Sequence, residues 1–214
     1  IGSAVVRKLS ESGYGNLLIR THKELDLINQ RATEAFFRRY RPDYVFFCAG
    51  KTGGILANSI NPAEFIYENT AIGTNVLHSS YKYGVKKLIY LGCACVYPKY
   101  SPQPMREKYL LTGSIEPTNE PYAMAKVLGI KMCQSYNSQY GTNFIPVIAG
   151  NVYGPGSRDF DESGHVIEGL IRKFYDAKRK YLKGITVWGT GKPRRDFLYV
   201  DDLVSFVDLA LAKQ

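Results

Sequence analysis

With 214 residues, 45% of them hydrophobic and 22% charged, the chain has the apolar material for one sizeable domain and the balance of a globular protein. No apolar run approaches membrane-spanning length, so no membrane partner is expected. The net charge of +9 is dispersed over small groups such as Arg38, Arg39 and Arg41 or Lys178, Arg179 and Lys180, with no nucleic-acid module beside them, so nucleic acid is not expected either. The four cysteines, 48, 93, 95 and 133, lack a framework spacing and sit among apolar or small residues, which points to a reducing, cytoplasmic setting.

Taken in order, residues 1–9 read as a helix with Val5, Val6 and Leu9 on one side, closed by Gly13 and Gly15 and followed by a short strand over 17–20. A glycine in the first turn of such a helix suits the third glycine of a phosphate-binding loop, which makes Gly2 a cofactor candidate. The opening strand and most of that loop are then expected to precede residue 1, with the strand central in the sheet, between 17–20 or 43–50 and 87–92. The end of the second strand in a dinucleotide fold meets the adenosine ribose. An acidic residue there binds a 2′-hydroxyl, whereas arginine accommodates a 2′-phosphate. Arg20, with Lys23 behind it, favours NADP over NAD, and Asp26 and Leu27 follow as further cofactor candidates. The plainer reading is a capped surface turn.

Residues 30–41 form an amphipathic helix with Ala32, Ala35, Phe36 and Phe37 inward, ended by Pro42. The apolar run 43–50 reads as a strand buried on both faces, its last residues, including Ala49, small enough for a ligand to approach. A long helix over 62–84 (Phe65, Ile66, Asn69, Ile72, Val76 and Leu77 inward) leads to a strand at 88–91 and a turn holding Cys93 and Cys95. A second long helix is predicted from Pro121 to Tyr140, capped by Thr118 or Asn119. Tyr122 and Lys126 share one face of it. A phenol titrates near ~10 unaided, and an ammonium beside it favours the phenolate, so the pair could pass a proton to a carbonyl or alcohol; two such residues on an ordinary exposed helix are the plainer reading. Residues 144–148 give the next strand. Then come a turn at 151–156, a helix opening at His165, a strand at 185–189, a basic turn, and a last helix after 197–202.

Strands alternating with helices call for a doubly wound parallel sheet, whose ligands bind at the carboxyl ends of the strands. Arg20, Gly50, Cys93, Cys95 and Asn151 all fall at or just past those ends.

Several motifs, in this order along nearly the whole chain, resemble the extended short-chain dehydrogenases/reductases. The general ones are Tyr122 with Lys126, Asn151-Val152-Tyr153-Gly154-Pro155, and the run from Arg195 to Asp202. Lys51-Thr52-Gly53-Gly54-Ile55, the run from Pro62 to Asn69, Cys95-Val96-Tyr97-Pro98-Lys99, the run from Glu116 to Ala123, and His165-Val166-Ile167 are similar to its branch acting on a GDP-linked 4-keto sugar.

The resemblance implies a Rossmann domain over 1–150, part of a smaller substrate domain over 151–193, and a return to the Rossmann domain over 194–214. It implies NADP(H) as cofactor, and epimerisation of GDP-4-keto-6-deoxy-D-mannose at C3 and C5 followed by reduction at C4. Tyr122, Lys126, Cys95, His165 and Cys93 are then catalytic. Gly2, Arg20, Asp26, Leu27, Ala49, Lys126 and His165 meet the cofactor. Asn151, Val166, Lys173, Trp188 and Arg195 meet the GDP-sugar. Helices 62–84 and 121–140 pair in a homodimer. A thiol near ~8.5 and an imidazole near ~6.5 bracket neutrality, as a base on one face of a sugar and an acid on the other require. A metal held by Cys93, Cys95 and His165 is not expected, for want of a fourth ligand and of zinc spacing. The family carries serine or threonine where this chain has Cys93, and a thiol is a weak donor. That departure leaves a non-catalytic NADP- or nucleotide-sugar-binding relative as the alternative, beside another epimerase or dehydratase of the family.

Overall fold

The structure, a computed structural model, describes residues 1–157 and 165–212. β1 (Tyr44–Phe47), β2 (Lys87–Cys93) and β3 (Phe144–Ala149) form one parallel sheet in that order. β1 pairs with β2 from Tyr44 against Lys87 to Phe47 against Tyr90, and β2 with β3 from Leu88 against Phe144 to Cys93 against Ala149. Parallel neighbours need a crossover. Here α3 (Ile55–Ile60) with α4 (Pro62–Lys82) makes the first, and α5 (Glu120–Tyr140) makes the second.

The two-residue period of the strands sorts their side chains to two faces. Val45, Phe47, Leu88 and Tyr90 enter the larger core, which α4, α5 and α2 (Gln30–Tyr40) cover with Leu77, Val127, Ile130 and Phe37. Phe46 and Cys48 turn the other way, toward α1 (Gly2–Glu11) and α7 (Val200–Ala212), whose Ala4, Val5, Leu9, Val200 and Val204 form a second cluster. Ile89 and Leu91 of β2 border the same side. Helices therefore lie on both faces, as a doubly wound sheet requires. Leu77 and Leu88 are fully buried, and each such side chain is worth about 1.5–3 kcal/mol.

Beyond this sheet, β4 (Asn151–Tyr153) and β5 (Phe197–Tyr199) pair in parallel, Asn151 against Phe197. α6 (Val166–Arg179) lies between them in sequence, and Arg7 of α1 forms an ion pair with Asp201 of α7.

The structure departs from the sequence pattern in several places. Among the described residues no strand pairs with 17–20; Leu18 and Ile19 are exposed there, although Leu17 packs on the α1 cluster. β1 joins β2 directly, so no further strand fits between 43–50 and 87–92. Residues 185–189 are not a strand, and Val187 and Trp188 are exposed; the pairing goes instead to Phe197–Tyr199. On α2, Ala35 is exposed and the buried positions are Thr33 and Phe37. Ile66 of α4 is likewise exposed. Asn119 stands at the start of α5 without a side-chain cap, and Thr118, the other expected cap, gives both its hydroxyl and its amide to Glu116.

Candidate active site

α5 carries its site residues on the face that meets β2. Lys126 is buried, and its Nζ donates to the Leu91 carbonyl at 3.0 Å, near the carboxyl end of β2. Two rings flank the ammonium, Tyr90 at 5.2 Å and Tyr122 at 5.7 Å to the centroids. Burial pushes the Lys126 ammonium down to about 8. Burial also pushes the Tyr122 phenol up to about 12. This reverses the expectation that the lysine favours the phenolate: Lys126 is turned to a backbone carbonyl and lies against the tyrosine ring. Tyr122 is consequently a neutral donor through the physiological range, the form needed to hydrogen-bond a carbonyl and protonate an alkoxide.

The sequence pattern missed what holds this pair. Tyr90 lies under α5 so closely that a Cβ on Gly129 would stand 2.2 Å from its ring, so only glycine admits the ring beneath Lys126. Asn69, buried in the apolar face of α4, accepts from Lys51 N and donates to Lys51 O, both at 3.0 Å, and donates to Phe65 O at 2.8 Å. It thereby fixes the chain just past β1. A Cβ on Gly50 would meet Asn69 Oδ1 at 2.8 Å and come within 3.8 Å of Lys126 Nζ. Gly50 thus lies beside the buried ammonium, and Ala49 before it packs on the larger core. A lone asparagine among Phe65, Gly73 and Val76 was the available signal, since a buried amide must find partners.

Cys93 ends β2 and Cys95 lies in the 3-10 turn Ala94–Val96, which packs against α5. Their sulfurs are paired in a disulfide, with Cα atoms 5.4 Å apart, where the sequence pattern anticipated four free thiols. Cys48 and Cys133 are free.

Among the expected cofactor residues, Gly2 opens α1 facing Cys48, and a Cβ there would make only ordinary contact at 3.5 Å. The Arg20 guanidinium lies over the rings of Phe36 (5.7 Å) and Tyr40 (5.3 Å) and donates to the Tyr40 hydroxyl at 3.3 Å. Asp26 turns inward on its own turn, accepting from Ile28 N at 3.0 Å, and the Leu27 carbonyl is taken by Asn75 at 2.9 Å.

Of the expected substrate residues, the structure brings together Lys173 and Trp188, with Nζ 4.5 Å from the ring centroid and donating to Thr186 O at 3.3 Å. Val166 is exposed on α6, two turns from Lys173. His165 stands exposed at the N-cap of α6 without a cap bond. Asn151 reaches the Asp196 carbonyl at 2.9 Å, and Arg195 folds back on the Arg194 carbonyl at 2.8 Å. The polar stretch 158–164 before His165 lies outside the described residues.

The sequence model of the NAD dependent epimerase/dehydratase family matches residues 1–214. The chain is 52% identical over 203 residues to GDP-L-fucose synthase 1 of Arabidopsis thaliana, covering 95% of this chain and 63% of that protein. The chain thus spans under two thirds of the length of the first curated relatives it matches. Among solved structures it is similar to a GDP-D-glycero-L-gluco-heptose synthase from Campylobacter jejuni in the presence of NADPH, with TM-score 0.90, 38% identity, and coverage of 98% of this chain and 70% of that one. It is also similar to a GDP-L-fucose synthetase from Naegleria fowleri bound to NADP, with TM-score 0.87, 31% identity, and coverage of 96% and 67%.

Proposed function

We propose, on the premise that the chain belongs to the NAD dependent epimerase/dehydratase family, that the complete protein epimerises GDP-4-keto-6-deoxy-D-mannose at C3 and C5 and reduces C4 with NADPH, giving GDP-L-fucose. The observation that carries the reading is the buried Lys126 beside a neutral Tyr122, anchored on Leu91 where β2 runs into the turn of Cys93 and Cys95. The relative that is 52% identical bears the name of that activity.

The residues present fit a dinucleotide. Gly50, with no side chain, lets the backbone past β1 come close to Asn69 and Lys126, and Arg20 sits over two rings with its side chain exposed. Gly2, Arg20, Ala49, Lys126 and His165 would hold it, with the turn of Asp26 and Leu27 as a wall. When bound, NADPH supplies the hydride to C4.

The chain's own residues do the rest. The reduced Cys95 thiolate removes the proton beside the ketone from one face, and the His165 imidazolium returns one to the other face. A hydrogen beside a ketone is acidic only while the enolate oxygen is stabilised, and the Tyr122 hydroxyl supplies that bond, with the weaker Cys93 thiol beside it. Tyr122 then protonates the C4 alkoxide. Lys173 with Trp188, together with Arg195, Val166 and Asn151, hold the GDP-sugar, residues 151–193 being the part of the substrate domain this chain carries.

The outer faces of α4 and α5 expose Ile66, Tyr67, Met124 and Leu128. We assign these helices to a homodimer contact, which the exposure of four large apolar side chains on two neighbouring helices favours.

The test is turnover by the full-length protein. NADPH oxidation should match GDP-L-fucose formed mole for mole, and Tyr122→Phe should lower kcat by about 10²–10⁴ while NADPH affinity holds. A full-length protein that binds both ligands yet oxidises no NADPH contradicts the proposal.

A further inference from the structure

We propose that Cys93 and Cys95 are an oxidation site: a dithiol that a hydroperoxide closes to a disulfide within the turn and that a dithiol reductant reopens. The backbone places the two residues for it. Cys93 is extended at the end of β2, Cys95 lies in the 3-10 turn that follows, and their Cα atoms are 5.4 Å apart, inside the range that a disulfide spans. No rearrangement of the strand or of α5 is required to join the sulfurs, which are already paired.

Selectivity comes from the surroundings. Cys93 and Cys95 are only half-buried, so a small oxidant reaches them. Cys133 is fully buried, and Cys48, though half-buried like the pair, packs into the apolar α1–α7 cluster; burial pushes their thiols up to about 12 and about 11, and the thiolate is the reactive form.

The chemistry balances. One thiolate attacks a peroxide oxygen, breaking the O–O bond and becoming a sulfenic acid. The second thiolate attacks that sulfur and expels hydroxide. Two thiols and one hydrogen peroxide give one disulfide and two waters, the sulfurs losing two electrons. Reduction runs through a mixed disulfide with the reductant, which takes up the oxidation. Because Cys95 is the base in the function proposed above, closing the disulfide withdraws that base; this consequence, but not the oxidation site, rests on that reading.

The experiment uses the full chain, first reduced with dithiothreitol, then exposed to hydrogen peroxide, alkylated and digested with trypsin. The peptide 88–99 contains both cysteines. It is expected to emerge lighter by two hydrogens and unalkylated, and to regain two alkylated thiols after dithiothreitol. In Cys93→Ser that species should vanish, and Cys95 should instead be trapped by dimedone as its sulfenic acid. The proposal is overturned if peroxide oxidises Cys48 or Cys133 first, or if Cys95 reaches the sulfinic acid while Cys93 keeps its thiol. Mass reads the site without any substrate. Oxidised protein that carries the disulfide but still exchanges the C3 and C5 protons of the keto-sugar would remove Cys95 as base and leave the oxidation site standing.

Discussion

Lys126 is costly where it is. Its ammonium is buried against two rings and one carbonyl and titrates at about 8 instead of 10.5. Between those values the unfolded chain holds the proton and the folded one releases it, so stability rises with pH across that window. Below about 8 both states are charged and the whole penalty, about 3 kcal/mol, is present. Lys126→Met should therefore stabilise the protein at pH 7, by up to about 3 kcal/mol, and the advantage should shrink toward pH 10. Urea midpoints of both proteins at the two pH values check this; an advantage independent of pH would mean that the ammonium is not desolvated. An ammonium buried at such a cost fits a residue that serves chemistry, since strongly perturbed groups cluster at functional sites.

At the scale of elements, α5 and β2 are matched through one close approach. Gly129 leaves the gap that the Tyr90 ring fills, and the ring has Phe47 at 5.4 Å on one side and Lys126 on another, so it cannot step aside. Gly129→Ala should cost about 1–3 kcal/mol by overpacking. Adding Tyr90→Leu should return part of that loss, seen as a coupling of about 1 kcal/mol or more in a double-mutant cycle; strict additivity would show that the helix accommodates the methyl elsewhere. The alternation of elements, the pair on α5 and the strand-end positions of Cys93 and Cys95 were legible in the sequence, because periodicity and the spacing of four residues are local properties. Gly129 was not, since a glycine in a helix declares its reason only once the facing ring is placed. Strand 17–20 failed for a similar reason: its apolar run is genuine, but a strand exists by pairing. Residues 185–189 looked like a strand by composition, and their exposure shows that composition was all they had. The reversed behaviour of Tyr122 was equally hidden, because the direction of a lysine side chain is set by the carbonyl it finds.

Across the whole molecule, the two faces of the sheet divide the labour. α2, α4 and α5 build the rigid core that carries Tyr122, Lys126 and Asn69, while α1 and α7, joined by Arg7 and Asp201, cover the other face. The cofactor end is a separate matter of charge. Removing the guanidinium in Arg20→Ala of the full-length protein should weaken NADPH binding and leave NADH binding nearly intact, because only the 2′-phosphate needs it. Fluorescence titration of both cofactors checks this, and wild-type protein with equal affinity for the two would contradict the assignment. The central claim is that one site first moves protons at C3 and C5 and then reduces C4. It is tested most directly by incubating full-length protein with the keto-sugar in deuterium oxide under reducing conditions and reading deuterium at those carbons, in wild type and in Cys95→Ser. The account predicts ready uptake by wild type and suppressed uptake by the variant. Equal uptake by both proteins, or none by wild type while NADPH is consumed, would contradict it.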